Sequence, residues 1–280
     1  MQVEGEAWSD RLSYAAGVFS PSGDGDNAAF GEHGDDLEFG GRLELRPLRT
    51  SPNTWLNGLA FGVGGTFTQV SSNVANLPNN VGGTRPGYLT PAGQQFFAYN
   101  AASGLTVADG QHWRVSPHLT YLKGPFGLLG EYIVTRQGVL NATTLREGQL
   151  DHSAWELTAQ WVLTGEDATF GAINPTRPFR LSDGGWGAWQ LVGRFNQLHL
   201  DPDTFPAFAN PALSARSATS WSVGVNWWLN RNLRILTSFT RTTFDGGGQV
   251  NPVDPSTLVA PATVTHQPEN ALLTRLQLGF

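Results

Sequence analysis

In the stretch "WSVGVNWWL", Trp221, Val223, Val225, Trp227 and Leu229 take every second place, with Ser222, Gly224 and Asn226 between them. Residues two apart share one face of a strand, so this segment is a ribbon with one apolar side and one polar side. The same period recurs in "AWELTAQWVL", where Trp155, Leu157, Ala159, Trp161 and Leu163 alternate with Glu156, Thr158 and Gln160. Helical periodicity is almost absent. Ten alternating segments, each bounded by Gly, Pro, Asn and Asp, fall at roughly 10–20, 36–47, 59–70, 111–122, 126–138, 151–164, 186–200, 219–229, 233–245 and 271–280. Such a pattern specifies an all-β, antiparallel fold.

Composition bears on what each face meets. The polar face keeps small neutral residues with occasional Arg and Glu, and charged residues make up only 14% of the 280-residue chain. A soluble sheet exposes many more Lys and Glu, because charged residues average about a quarter of ordinary domains. The aromatics Trp113, Tyr132, Trp155, Trp161, Trp189, Trp221 and Trp227 sit near segment ends, where the interfacial girdles of a membrane wall would place them. "LNRN" at 229–232 and "KGP" at 123–125 are tight turns, whereas 71–110, 201–218 and 246–270 are long and polar. Counting strands puts those three long connections on one side; 165–185 is long yet falls among the short turns. Short turns at one end and long loops at the other describe an antiparallel transmembrane β-barrel. A soluble sandwich or jelly roll also alternates. The second reading is therefore a soluble or membrane-anchored β-sheet protein for carbohydrate binding or adhesion.

Several classes are excluded or unsupported. The chain has no cysteine, so disulfides and thiolate metal sites are out. A net charge of −6 without a basic tract argues against nucleic acid. No apolar run reaches the roughly 18 residues of a membrane helix. "MQVEGEAWSD" has neither the basic nor the apolar region of a signal peptide. His33, His112, His118, His152, His199 and His266 have no ligand spacing, and "DGDN" at 24–27 lacks the acidic partners of a calcium loop. No catalytic constellation, metal or cofactor is expected. The glycines of "GVGG" at 62–65 suit close packing or curvature inside a strand.

With the apolar face towards lipid, alternation turns Arg42, Arg46, Arg114, Arg194, Arg234 and Arg275 towards the lumen, together with Glu38, Glu44, Glu131 and Glu156. Arginine keeps its charge at any working pH and can grip two oxygens of an anion at once. These six are the candidate pore-lining anion contacts. Alternatively, they pair with the interior glutamates and only line the wall.

The blocks "HWRVSPHLTYLKGPFGLLGEYIVTRQ" (112–137), "LTGEDATFGAINPTRPFRLSDGGWGAWQLVGRFNQLHLD" (163–201) and "GVNWWLNRNLRILTSFTRTTFD" (224–245) follow one another in an order that resembles the phosphate-selective porin O and P family. "LSYAAGVFSPSGD" and "FGGRLELRPL" are weaker matches. Trp228, and Phe195 after Arg194, stand where that family's pattern has Tyr. The resemblance implies a sixteen-stranded homotrimeric porin of the bacterial outer membrane, passively passing inorganic anions, phosphate or polyphosphate. Residues 1–280 would be a single barrel domain holding about ten of those strands. The signal peptide, the first strands and the lysine-bearing constriction loop would lie outside it. Lipid with lipopolysaccharide and the barrel-assembly machinery are the other implied partners. The chain ends "ALLTRLQLGF": Leu272, Leu276, Leu278 and Phe280 would face lipid, Arg275 and Gln277 the lumen. Phe280 resembles the signal that the assembly machinery reads.

Overall fold

The structure, a computed structural model, describes residues 1–19, 37–70, 87–101, 104–246, 248–250, 263–265 and 267–279. Its strands in chain order are β1 (Gln2–Ala7), β2 (Leu12–Phe19), β3 (Glu38–Leu45), β4 (Leu59–Val70), β5 (Tyr88–Leu89), β6 (Gln95–Phe97), β7 (Asn100–Ala101) and β8 (Gly104–Lys123). There follow β9 (Phe126–Asn141), β10 (Arg146–Val162), β11 (Ala188–His199), β12 (Ser217–Trp228), β13 (Leu233–Asp245), β14 (Gly248–Val250), β15 (Thr263–Thr265) and β16 (Glu269–Leu278). No α-helix occurs among the described residues. Eleven strands form one antiparallel sheet in the order β1-β2-β3-β4-β8-β9-β10-β11-β12-β13-β16. β7 pairs with the start of β8, while β5–β6 and β14–β15 are separate two-stranded ribbons. Among the described residues the sheet is open, with β1 and β16 as its edges.

Each of the ten expected segments coincides with a strand, and β1 is an eleventh. Its alternation escapes detection because the side that should be apolar is Val3, Gly5 and Ala7, two of them too small to register. Gln2, Glu4 and Glu6 oppose Gly17, Ala15 and Ser13 of β2. The "KGP" turn closes tightly because Gly124 takes φ +51, a left-handed conformation that costs glycine little.

Register carries face identity from strand to strand. Glu156 opposes Glu131, and Thr158 opposes Arg194, so the polar residues of β9, β10 and β11 share one face, here termed inner. On the outer face Tyr132 opposes Trp155, Phe195 opposes Trp221, and Trp189 opposes Trp227. That face is apolar and uncovered: Leu272 is 72% exposed, Leu276 68% and Val223 50%. Soluble monomers rarely expose so continuous an apolar stripe, which marks a surface that meets a partner or a membrane. On β9–β12 its aromatics form two rows. One is Tyr132, Trp155, Phe195 and Trp221; the other is Phe126, Trp161, Trp189 and Trp227. Trp155 and Trp161 lie about 20 Å apart along β10, close to the ~25 Å apolar band of an outer-membrane wall.

The connections differ from expectation in two places. Within the expected 71–110 loop, residues 87–101 fold onto the inner face. Phe96, Phe97 and Tyr99 join Val139, Leu150, Leu200 and Phe208 in one buried cluster, which also takes in Ala215 of the 201–216 connection. The expected ends of three strands, 111, 138 and 151, also fall short, because β8 already starts at Gly104 and β9 and β10 continue to Asn141 and Arg146. Val139 and Leu150, buried by the folded-in segments, make the extension worthwhile. The 165–185 connection does lie at the short-turn end. Ala168 N–H donates to Gly124 O at 2.7 Å and Phe179 N–H to Leu229 O at 2.7 Å, so it bridges the neighbouring turns. Ala168 and Ile173 cover Val162, Ala188 and Trp228 there. Most of 246–270 and the terminal Phe280 lie outside the described residues.

Candidate functional site: the inner face

All six arginines singled out from the sequence lie at inner-face register positions: five within strands, and Arg46 one step past β3 at the short-turn end. Arg42, Arg114 and Arg194 occupy the middle of their strands, while Arg46, Arg234 and Arg275 lie near the short turns. Three pair with acids of the same face. Arg46 binds Glu44 at 2.7 Å, Arg114 lies 3.8 Å from Glu38, and Arg194 binds Glu156. Arg234 donates from Nη2 to Gln277 Oε1 at 2.8 Å and sits 4.6 Å over the Trp228 ring. Arg42 and Arg275 have no ion pair among the described residues. The sequence left open whether the glutamates neutralise the arginines, and the wall answers it in halves.

The structure brings Arg42 and Arg114 together and leaves the others apart. These two line one open cavity of about 570 Å³ with Gln2, Thr66, Ser116 and Glu131. Glycines at 40, 41, 64 and 65 form much of its floor, leaving the guanidinium groups room. A second cavity, about 510 Å³, holds Arg194 and Glu156 beneath residues 89–96. Glu131 and Ile133 line both, so the two spaces adjoin. The Glu131 carboxylate accepts from Ser116 Oγ. Further along the wall, hydroxyls pair across strands: Ser220 with Thr242 and Ser222 with Thr240, each at 2.8 Å.

The folded-in 87–101 segment is fastened by polar bonds at low exposure. Asp201 N–H donates to His152 Nδ1 at 3.0 Å, so the ring proton sits on Nε2, which bonds Tyr99 Oη. Ala215 N–H donates to Phe96 O at 2.8 Å, and Ala98 N–H to Ser214 Oγ at 3.2 Å. Sequence reading missed this element. Its signal was the cluster Tyr88, Phe96, Phe97 and Tyr99, too dense in aromatics for a loop left in water.

Charges also occur on the outer face, at or beyond the aromatic rows. Arg136 binds Asp151 through two hydrogen bonds, at 2.7 and 2.6 Å, and lies 5.5 Å over the Trp113 ring. Arg241 is opposite Trp221, and Lys123 is the last residue of β8. Among the described residues no three His, Asp or Glu side chains converge as a metal would require.

The family model "Phosphate-selective porin O and P" matches residues 11–266. No curated protein matches the chain. Among solved structures, a porin is similar at 13% identity with a TM-score of 0.42, the match covering 86% of this chain and 55% of that one.

Proposed function

The chain belongs to the phosphate-selective porin O and P family, and on that footing we propose that it forms the wall of a passive anion channel in a bacterial outer membrane. The observation that carries this reading is the division of charge between the two faces. Between the aromatic rows the outer face holds no ionised side chain among the described residues, whereas the inner face carries arginine at two heights. An ion in hydrocarbon costs several kcal/mol, so the charged face is the wet one.

Anions would enter at the long-loop end and pass the narrowing made by residues 87–101 and 201–216. They would then meet Arg114, Arg42 and Arg194, then Arg234, Arg275 and Arg46. Weak sites in series raise the local anion concentration without trapping it. The family name suggests phosphate as the anion. Three like subunits, and assembly through the terminal Phe280, belong to the same proposal.

Planar-bilayer reversal potentials in a KCl gradient test it. The expected result is a potential displaced towards the chloride equilibrium value, with the displacement reduced by Arg42→Ala together with Arg114→Ala. A cation-selective wild-type pore overturns the proposal. Recovery of the native protein in the soluble fraction of cells would overturn the membrane reading itself.

A further inference from the structure

The two adjoining inner-face cavities differ in chemistry. The one around Arg42 and Arg114 is floored largely by glycine, a surface suited to small hydrated ions. The one under residues 89–96 is not. Leu89, Pro91 and Phe96 of the folded-in segment form one side, and Ile133 and Leu198 of the wall form the other. Its volume of about 510 Å³ falls in the range that holds a small organic molecule, roughly 300–1,000 Å³.

Resting on the channel reading, we propose that this second cavity binds monocarboxylates that carry an apolar body, and so extends the solutes of the pore beyond inorganic anions. Three observations lead there. First, Leu89 is 48% exposed in a segment whose other large apolar residues are buried, Phe96 at 5% and Phe97 at 1%. With Pro91, it is the apolar surface of that segment left for a ligand to cover. Second, the Arg194 side chain is 49% exposed but its partner Glu156 only 19%. The guanidinium therefore keeps free donors towards the cavity, while the carboxylate beneath fixes its orientation. A planar guanidinium presents two parallel N–H groups to a carboxylate. Third, the pair is close to neutral as a unit, and Glu131 of the same lining, bonded by Ser116 Oγ, adds one negative charge that weighs most against multiply charged anions. A multiply charged phosphate gains little field from it, whereas a single carboxylate can share the guanidinium and place its hydrocarbon against Leu89 and Ile133. Affinity then comes from apolar contact that small inorganic ions cannot make.

The test compares two acids of equal charge, cyclohexanecarboxylate and acetate, both ionised at pH 7. The full protein in a planar bilayer carries a KCl current, and each acid is added in turn. Cyclohexanecarboxylate is expected to block at concentrations about tenfold or more below acetate, the discrimination that one small apolar pocket provides. Leu89→Ser should weaken that preference several-fold, and Arg194→Gln should remove block by both acids. Equal block by the two acids, or block indifferent to both substitutions, overturns the site. Equilibrium dialysis of radiolabelled cyclohexanecarboxylate against proteoliposomes reads the same site without any current. Saturable binding lost in Arg194→Gln upholds it even if the channel reading fails, and absence of such binding overturns it even if chloride flows.

Discussion

At the scale of single residues, the wall uses side-chain partners to make each face suit its surroundings. Thr274 interrupts the apolar stripe of β16, yet its hydroxyl lies 3.3 Å from that of Thr237 on β13, so the two satisfy each other on the outer face. Inside, carboxylates temper arginines. Arg194 and Glu156 are the sharpest case, because the acid is largely covered and the guanidinium half open. Replacing Glu156 by Gln removes one negative charge from the proposed path, worth roughly 0.5–1 kcal/mol to an ion passing about 5–8 Å away in a watery pore. The chloride-to-potassium permeability ratio should therefore rise by a factor of about two to five, read from the reversal potential. An unchanged ratio would mean that this pair does not face the conducting path. The outer pair of Arg136 and Asp151 is exposed, and its removal should leave stability nearly unchanged in urea unfolding.

At the scale of elements, strands were legible in the sequence and folded-in connections were not. A period of two is local, and lipid on one side with water on the other keeps it clean, so ten strands can be read from their own residues. β1 fell below detection because Gly5 and Ala7 leave its outer side without bulk. What residues 87–101 do depends on Val139, Leu150, Leu200 and Phe208, which come from elsewhere in the chain. No local pattern announces such contacts. For the site, alternation placed all six arginines on one face but could not say which of them share a cavity. Phe97, 1% exposed, is the anchor of the segment. Phe97→Ala removes packing worth about 3–5 kcal/mol, and the segment should leave the inner face, raising single-channel conductance while the sheet stays intact by circular dichroism. At the opposite end, Glu166 fastens the 165–185 connection. Partial burial pushes its carboxyl up, but hydrogen bonds from Thr164 and Thr176 outweigh that and hold the pKa below its ordinary 4.5. A lowered pKa gives stabilisation that is present above the ordinary value and is lost as pH falls through the folded one. Amide protection of residues 165–185, corrected for intrinsic exchange rates, should hold from neutrality to about pH 4.5 and then decline. Glu166→Gln should flatten that dependence.

At the scale of the whole molecule, the fold is a partition between two solvents, and that partition can be tested without reference to conduction. A soluble sheet and a membrane wall share strands, turns and register; they differ in what one charge costs on each face. Val223 lies on the outer face of β12 between the aromatic rows, opposite Gly193 and Phe239. Ser238 lies on the inner face of β13, opposite Gly224 and Leu273. In lipid, Val223→Arg should cost about 2–4 kcal/mol, the midplane value for a charged side chain on a barrel's lipid face. Ser238→Arg meets the watery side and should cost less than about 1 kcal/mol, the ordinary effect of a surface substitution. In water the order reverses, because an exposed valine loses nothing by becoming charged while the inner position must accommodate a larger side chain. Urea unfolding in phospholipid vesicles measures the difference directly. If Val223→Arg is the gentler of the two substitutions there, the outer face does not meet lipid, and the division of charge between the faces needs another cause.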